Sequence, residues 1–311
     1  MEEKTLQDVV MIGAGPAALS AAIYTTREEI QTTLYEKALV GGLAATTDWI
    51  DNYPGYAKGI EGLRLADELR GQAERFGAKI EFGDVERIES DGKNIRLVVD
   101  GKDVHTKAVL IATGSDHKKL GVPGEEEYYS RGVHYCATCD GAFYVGKRLV
   151  VVGGGNSGVQ EAIFLTRFAS HIDLLVRSEL KASEVLQRKL ETMTDKITVH
   201  TNTTIEEIVA NEGVVNVVRV MDKVTNSERV IETDGIFIFI GLLPNTGFLA
   251  GSGIELDEVG LIKSDANLQT SIPGVFVAGD VRSGATMQIA SAVGDGATAA
   301  LKIREYLEKR D

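Results

Sequence analysis

A ten-residue segment occurs twice in the chain. Val9-Val-Met-Ile-Gly-Ala-Gly-Pro-Ala-Ala18 and Leu149-Val-Val-Val-Gly-Gly-Gly-Asn-Ser-Gly158 align without gaps at an offset of 140 residues. Each is an apolar β run, then G-x-G-x-x-G/A, then a helical pattern, and second strands are expected over Thr32–Glu36 and Ile172–Arg177. This is the pattern of a dinucleotide-binding βαβ unit. The first glycine permits a tight turn, the second lets a pyrophosphate approach the backbone, and the third position stays small so that helix and strand pack. The helix N-terminus then offers unpaired N–H groups and a partial positive charge to the phosphates. A single copy could be an ordinary glycine turn. Two copies in the same strand–helix context argue against that reading.

The ends of the two second strands differ. Glu36 lies 23 residues after Gly13, where an acid accepts hydrogen bonds from a ribose 2′-OH. The equivalent position in the second unit is Val176, followed by Arg177, with Lys181 further on. Cations there favour a 2′-phosphate, hence NADPH over NADH. The bland alternative is that Arg177 is an ordinary surface arginine.

Between and after the two units, Ile95–Thr106 alternates around Asp100-Gly101, a hairpin signal. Lys107–Gly114 reads as an apolar strand, Val214–Ile240 as strands around the turn Thr225-Asn226-Ser227, and Val275–Asp280 as a buried strand ending in an acid. Leu301–Lys309 reads as a helix. The expected fold is α/β: two Rossmann-like, three-layer dinucleotide-binding domains, the second inserted into the first. The expected boundaries are 1–116 and 246–311 for the first dinucleotide-binding domain and 117–245 for the second.

Composition narrows the class. With 46 acidic against 33 basic residues the net charge is -13. No Lys/Arg block is present, which disfavours nucleic acid as a partner. The longest apolar stretch, Val9–Tyr24, is too short and too broken by Gly13, Gly15 and Pro16 to span a bilayer. The start lacks a basic n-region, so a cytoplasmic protein is expected.

The only two cysteines are Cys136 and Cys139, followed directly by Asp140. Three readings compete for such a pair. A structural zinc site needs about four ligands, and the histidines show no accompanying spacing, so no metal is expected. Two inert buried thiols are the second reading, against which the adjacent acid stands. The third is a redox disulfide: one thiolate attacks a substrate disulfide, the other resolves the mixed disulfide, and Asp140 moves protons. A flavin is the group that takes a hydride from a nicotinamide and reduces such a disulfide.

Taken together, these residues resemble the low-molecular-weight thioredoxin reductases over essentially the whole chain. Cys136-Ala-Thr-Cys139-Asp140 matches the redox motif of that family and stands, as there, within the pyridine-nucleotide domain. Gly13-Ala-Gly15-Pro-Ala17, Gly41-Gly42, Asn52-Tyr-Pro54-Gly55, Ala112-Thr-Gly114 and Gly279-Asp280 also match. The resemblance implies FAD and NADPH as cofactors, thioredoxin or a thioredoxin-like protein as partner, a homodimer, and two alternating domain orientations. It implies that Gly13, Gly15 and Ala17 hold the FAD pyrophosphate, with Glu36 at the adenosine ribose and the Val85 backbone at adenine, and that Pro16 and Lys37 also belong to the FAD-binding set. Gly41, Gly42, Leu43 and Asn52 would lie near the flavin. Ala112, Thr113, Gly114 and Gly279 complete the FAD set, with Asp280 on the ribityl chain and Gln288 and Ile289 near the isoalloxazine. Gly153, Gly155, Asn156, Ser157, Arg177 and Lys181 would bind NADPH. Cys139 would face the flavin, Cys136 would attack thioredoxin, and Asp140 would be the general acid.

Four departures from the family pattern stand out. Gly158 replaces the usual alanine of the second glycine loop. Val176-Arg177-Ser178, with Lys181 one residue early, replaces a His-Arg-Arg-x-x-x-Arg run. Met287 replaces an arginine, and Leu43 stands where glutamine is common. The first two leave NADH, ferredoxin or another carrier as alternative electron donors, and a different thioredoxin-like client as an alternative partner.

Overall fold

The computed structural model describes residues 6–47, 49–50 and 52–310. The chain divides into two compact units: residues up to Asp116 together with those from Leu243 onward, and His117–Leu242 between them. The second crossing falls after Leu242, where the sequence suggested Asn245.

The first unit opens with strand β1 (Leu6–Ile12), helix α1 (Pro16–Arg27), β2 (Thr32–Glu36), the short α2 (Gly42–Ala45), α3 (Gly62–Arg75) and β3 (Lys79–Phe82). Three more strands follow, β4 (Val85–Ser90), β5 (Ile95–Val99) and β6 (Lys102–Ile111), before β7 (Ser115–His117) carries the first crossing. The sheet order is β3-β2-β1-β6-β5-β4. β1 runs parallel to β2, with Val9 opposite Thr32, and parallel to β6, with Val9 opposite Ala108. β5 and β6 form the expected hairpin, with Ile95 opposite Thr106. Its turn residues Asp100 and Gly101 both take positive φ, 46° and 73°, the conformation a two-residue hairpin loop demands.

The second unit repeats this plan. It contains β8 (Val133–His134), α4 (Ala137–Asp140), a 3₁₀ turn over Gly141–Tyr144, β9 (Arg148–Val152), α5 (Asn156–Leu165), β10 (His171–Leu175), α6 (Glu184–Glu191) and β11 (Ile197–His200). An antiparallel meander follows, β12 (Thr203–Asn211), β13 (Val214–Asp222) and β14 (Ser227–Glu232), and then β15 (Gly235–Ile238). The parallel sheet runs β11-β10-β9-β15-β8. β16 (Leu242–Pro244) carries the return crossing; β17 (Val275–Val277) then joins β6 of the first sheet, Val275 opposite Val109, and α7 (Ile289–Glu308) covers that sheet.

Alternating side chains of the central strands enter different layers, because strand residues point to opposite faces. Val9 and Met11 of β1 pack with α1, α3 and α7, whereas Val10 and Ile12 pack against the β4–β5 layer. Likewise Leu149 and Val151 of β9 face α5 and α6, and Val150 and Val152 face the meander. Strands buried on both faces are continuously apolar, which is why both β runs read so clearly in the sequence. α7 is longer than the expected Leu301–Lys309 helix. Its first half buries Ala292 and Gly296, and a Cβ at Gly296 would stand 2.0 Å from the Ala17 carbonyl oxygen. The α1 and α7 backbones therefore touch. Among the described residues no helix is long and apolar enough to cross a membrane.

Candidate functional site

The two glycine turns are built alike. Gly13 has φ +95°, and a Cβ there would stand 2.6 Å from the Ala112 carbonyl oxygen; Gly153 has φ +146°, and a Cβ would stand 2.3 Å from that of Phe239. Both positions exclude side chains by conformation and by contact. A Cβ at Gly15 or Gly155 would meet nothing within 4 Å, so the second glycine of each loop faces open space. These two glycines are the N-caps of α1 and α5, and neither helix has a side-chain cap. Their first N–H groups are thus available to an anion.

In the first unit the turn borders a cavity of about 460 Å³, which brings together Gly13, Glu36, Lys37, Val85 and Thr113 from the sequence-derived set. Glu36 accepts hydrogen bonds from the backbone N–H of Ala14 at 2.8 Å and of Ala38 at 2.9 Å, so its carboxylate clamps the glycine turn and is fixed in place. Residues the sequence reading did not single out also line the cavity: Asp84, Glu86, Asn245 and Phe248. Asn245 fastens the Ala112–Gly114 segment, donating from its side chain to the Thr113 carbonyl at 3.0 Å and from its N–H to Gly114 O at 3.1 Å. Its separation of more than 130 residues from Thr113 left no local signal in the sequence.

The remaining members of that set lie outside this cavity lining. Gly41 donates to the Ala14 carbonyl at 2.8 Å, which sets the Gly41–Gly42 turn beside the first glycine loop. Asn52 Nδ2 donates to Gln288 Oε1 at 3.0 Å, joining two expected flavin neighbours. Ile289 opens α7 directly after Gln288. Ala17 is buried at 5% exposure, and a Cβ added at Gly279 would stand 3.1 Å from its methyl; Pro16 occupies the first turn of α1. Leu43 is exposed on α2. The Asp280 carboxyl is held above the usual carboxylate range, first by burial and then by the Asp295 charge. Asp295 itself is tied to Arg282 at 3.0 Å and to the Gly279 N–H at 3.2 Å.

In the second unit, loop 177–183 is tied to the glycine turn. The N–H groups of Lys181 and Ala182 both donate to the Gly154 carbonyl, and that of Ser183 to Asn156 Oδ1 at 2.8 Å. Ser157 follows Asn156 in the first turn of α5. Arg177 and Lys181 are exposed on this loop, and among the described residues neither has an ion-pair partner. Val176 is buried at 2% exposure, and its Cγ1 would stand 2.4 Å from a Cβ on Gly154. Position 176 therefore fills the core beneath the loop. A Cβ at Gly158 would stand 2.3 Å from the Gly153 carbonyl oxygen, so α5 packs on its turn at glycine distance, whereas the first unit accommodates Ala18 at the same place.

Cys136 and Cys139 form a disulfide with Cα atoms 5.3 Å apart. Cys136 is the N-cap of α4, and its sulfur accepts from the Cys139 N–H at 3.2 Å. Tyr135, next to Cys136 in the chain, donates its hydroxyl at 2.7 Å to the buried Glu125 carboxylate, which also accepts from the N–H groups of Leu120 and Gly121. Burial, reinforced by the Glu125 charge, pushes the Tyr135 hydroxyl well above its usual pKa, so it remains a donor. Asp140 lies 3.1 Å from Nδ1 of His134, whose Nε2 lies 2.7 Å from the Tyr144 hydroxyl. The sequence reading missed both His134 and Tyr144.

The Pyridine nucleotide-disulphide oxidoreductase family model matches residues 7–296. The thioredoxin reductase of Bacillus subtilis is 42% identical over 311 residues, covering 99% of this chain and 97% of that protein. That of Listeria innocua is 41% identical, covering 99% and 96%. The crystal structure of thioredoxin reductase from Streptococcus pyogenes superposes with a TM-score of 0.94 at 39% identity, covering 99% of this chain and 100% of the other. With two glycine-turn units, one carrying a C-x-x-C disulfide, the chain belongs to the pyridine nucleotide-disulphide oxidoreductases, in their thioredoxin reductase branch.

Proposed function

We propose that the protein is an FAD-dependent enzyme that reduces thioredoxin disulfide with electrons from NADPH through the Cys136–Cys139 pair. The observation that carries this reading is a disulfide followed directly by an acid, in a unit that has its own open glycine turn. The cavity of the first unit fits the adenosine half of FAD. Glu36 is pre-fixed to meet a ribose, and the uncapped α1 N-terminus with Gly13 and Gly15 meets a pyrophosphate. Asp280, Asn52, Gln288, Ile289, Gly41, Gly42 and Leu43 would surround the flavin end. A flavin held by these residues would supply the two-electron relay between a nicotinamide and the disulfide. Arg177 and Lys181, held beside Gly154 and Asn156, supply the charge for a 2′-phosphate. Cys136 would attack the client and Cys139 resolve it, with Asp140 carrying the proton.

The client of this reading is a protein. Phe143 and Val145, four and six residues after Cys139, are 54% and 69% exposed, and such a client would meet them. A homodimer working in the cytoplasm completes the reading. In anaerobic mixing with one equivalent of NADPH, the visible absorbance of the bound flavin bleaches. Cys139→Ser keeps flavin reduction and loses thioredoxin reduction; thioredoxin turnover intact in that variant would overturn the proposal.

A second reading keeps this chemistry and changes the donor. Val176 and Ser178 stand where the family motif carries His and Arg. A screen with NADH and reduced ferredoxin beside NADPH separates the two, because a donor that bleaches the flavin faster than NADPH takes its place.

A further inference from the structure

The general acid of a thiol–disulfide exchange has to present one oxygen to two successive sulfurs. Asp140 sits at the end of a four-residue helix, half-buried, with two rotatable side-chain bonds. Its orientation must therefore be fixed by a neighbour, and one neighbour is built for this. The His134 ring is 7% exposed and stacks on Phe237 with centroids 5.0 Å apart and planes at 27°. The Tyr144 ring meets it edge-on at 5.4 Å and 74°. Tyr144 in turn lies over Gly235, where a Cβ would stand 2.5 Å from the tyrosine Cε1. A glycine inside a strand at such a contact marks a close approach that the fold preserves.

Both ring nitrogens of His134 are engaged. Burial, with the Asp140 and Asp234 charges nearby, pushes the Tyr144 hydroxyl above its usual pKa and keeps its proton. A carboxylate only accepts, so the nitrogen facing Asp140, Nδ1, carries the ring proton, and Nε2 is left to accept from the Tyr144 hydroxyl at 2.7 Å. Nδ1–H then points at Asp140 Oδ2, 3.1 Å away. We propose that His134 is a positioning residue for Asp140: its Nδ1–H, set by the Tyr144 hydroxyl on Nε2, holds Oδ2 and leaves Oδ1 to exchange protons with the thiols.

This inference rests on the reading of Asp140 as the general acid. The exchange it serves is balanced as follows. The Asp140 carboxylate takes the Cys136 thiol proton; the Cys136 thiolate attacks the client disulfide, and the mixed disulfide forms as the client S–S bond breaks. The departing client sulfur takes the proton from Asp140. The carboxylate then takes the Cys139 proton, and the Cys139 thiolate attacks the Cys136 sulfur. The second client sulfur leaves and takes that proton. Two electrons and two protons pass to the client, and Asp140 returns to the carboxylate that Nδ1–H holds.

The test is a single turnover. Holoprotein, pre-reduced anaerobically with dithionite, is mixed with oxidised thioredoxin, and the client thiols are counted after rapid quenching. His134→Phe keeps the stacking on Phe237 and removes the donor; the expected exchange rate falls about tenfold or more, the scale of a misplaced reacting group. His134→Asn places an amide N–H near the Nδ1 position and is expected to restore most of the rate. Flavin reduction by the donor should be unchanged in both. Asp140→Asn separates the two levels of the argument. If Asp140→Asn is slow and His134→Phe is as fast as the parent, the positioning role is overturned and the acid stands. If Asp140→Asn exchanges at the parent rate, the acid assignment falls and this inference with it. Equal loss in His134→Phe and His134→Asn would also overturn the inference, because packing alone would then explain it.

Discussion

Asp280 carries the clearest electrostatic cost of the first unit. Burial and the Asp295 charge raise its pKa, so the folded protein disfavours the ionised form. The sign of its linkage follows. Relative to the unfolded chain, the stability it contributes is fully present below the ordinary carboxylate value and is lost as pH rises through the folded value. Asparagine carries no charge at either end of that window. In protein stripped of flavin, Asp280→Asn should therefore raise the melting temperature near pH 7 and change it little near pH 4. Thermal melts at the two pH values check this, and a shift independent of pH would contradict it. The strain is placed where a polyhydroxylated chain is proposed to bind, a position where local cost is often tolerated for function.

At the scale of elements, the second glycine loop shows how a motif position is set by packing. Gly158 stands where the family pattern usually has alanine, yet a methyl group there would meet the Gly153 carbonyl oxygen at 2.3 Å. Gly158→Ala should destabilise the protein by about 1–3 kcal/mol, the range for overpacking a tight contact, and thermal or urea denaturation would show it. An unchanged midpoint would mean that α5 shifts outward freely. The elements themselves were legible where period and turn chemistry agree. The two apolar strands, the Asp100-Gly101 hairpin and the Asn226 turn, with φ 51°, could all be read locally. What could not be read depends on contacts between distant segments. Asn245 reaches the Thr113 loop, and the first half of α7 survives its glycines because α1 lies against it. The His134–Asp140–Tyr144 chain was hidden for another reason. Its members are close in sequence but follow no helical or strand period, crossing from β8 through α4 into a 3₁₀ turn. The glycine loops and the C-x-x-C pair were visible because their chemistry is carried by adjacent residues.

At the scale of the whole molecule, the hydrophobic cores of the two units share no residue. Those of the first unit gather β1, β6, α1, α3 and α7, and those of the second gather β9, β10, α5 and the meander. Calorimetry should accordingly resolve two unfolding transitions. Added FAD should raise one of them, by about 2.7 kcal/mol at a hundredfold excess over its dissociation constant, and leave the other in place. A single transition that moves as a whole would contradict this independence. The insertion also has a consequence for how the protein is made. β17 and α7, which complete the first sheet and cover α1, follow the entire second unit in the chain. On the ribosome, the inserted unit has all its strands before the unit that surrounds it does. Until the last helix emerges, the alanine-lined face of α1 is bare, and the nascent chain carries one finished domain and one waiting half. That interval is when a holdase would find this protein, and when a slowed ribosome would most endanger it.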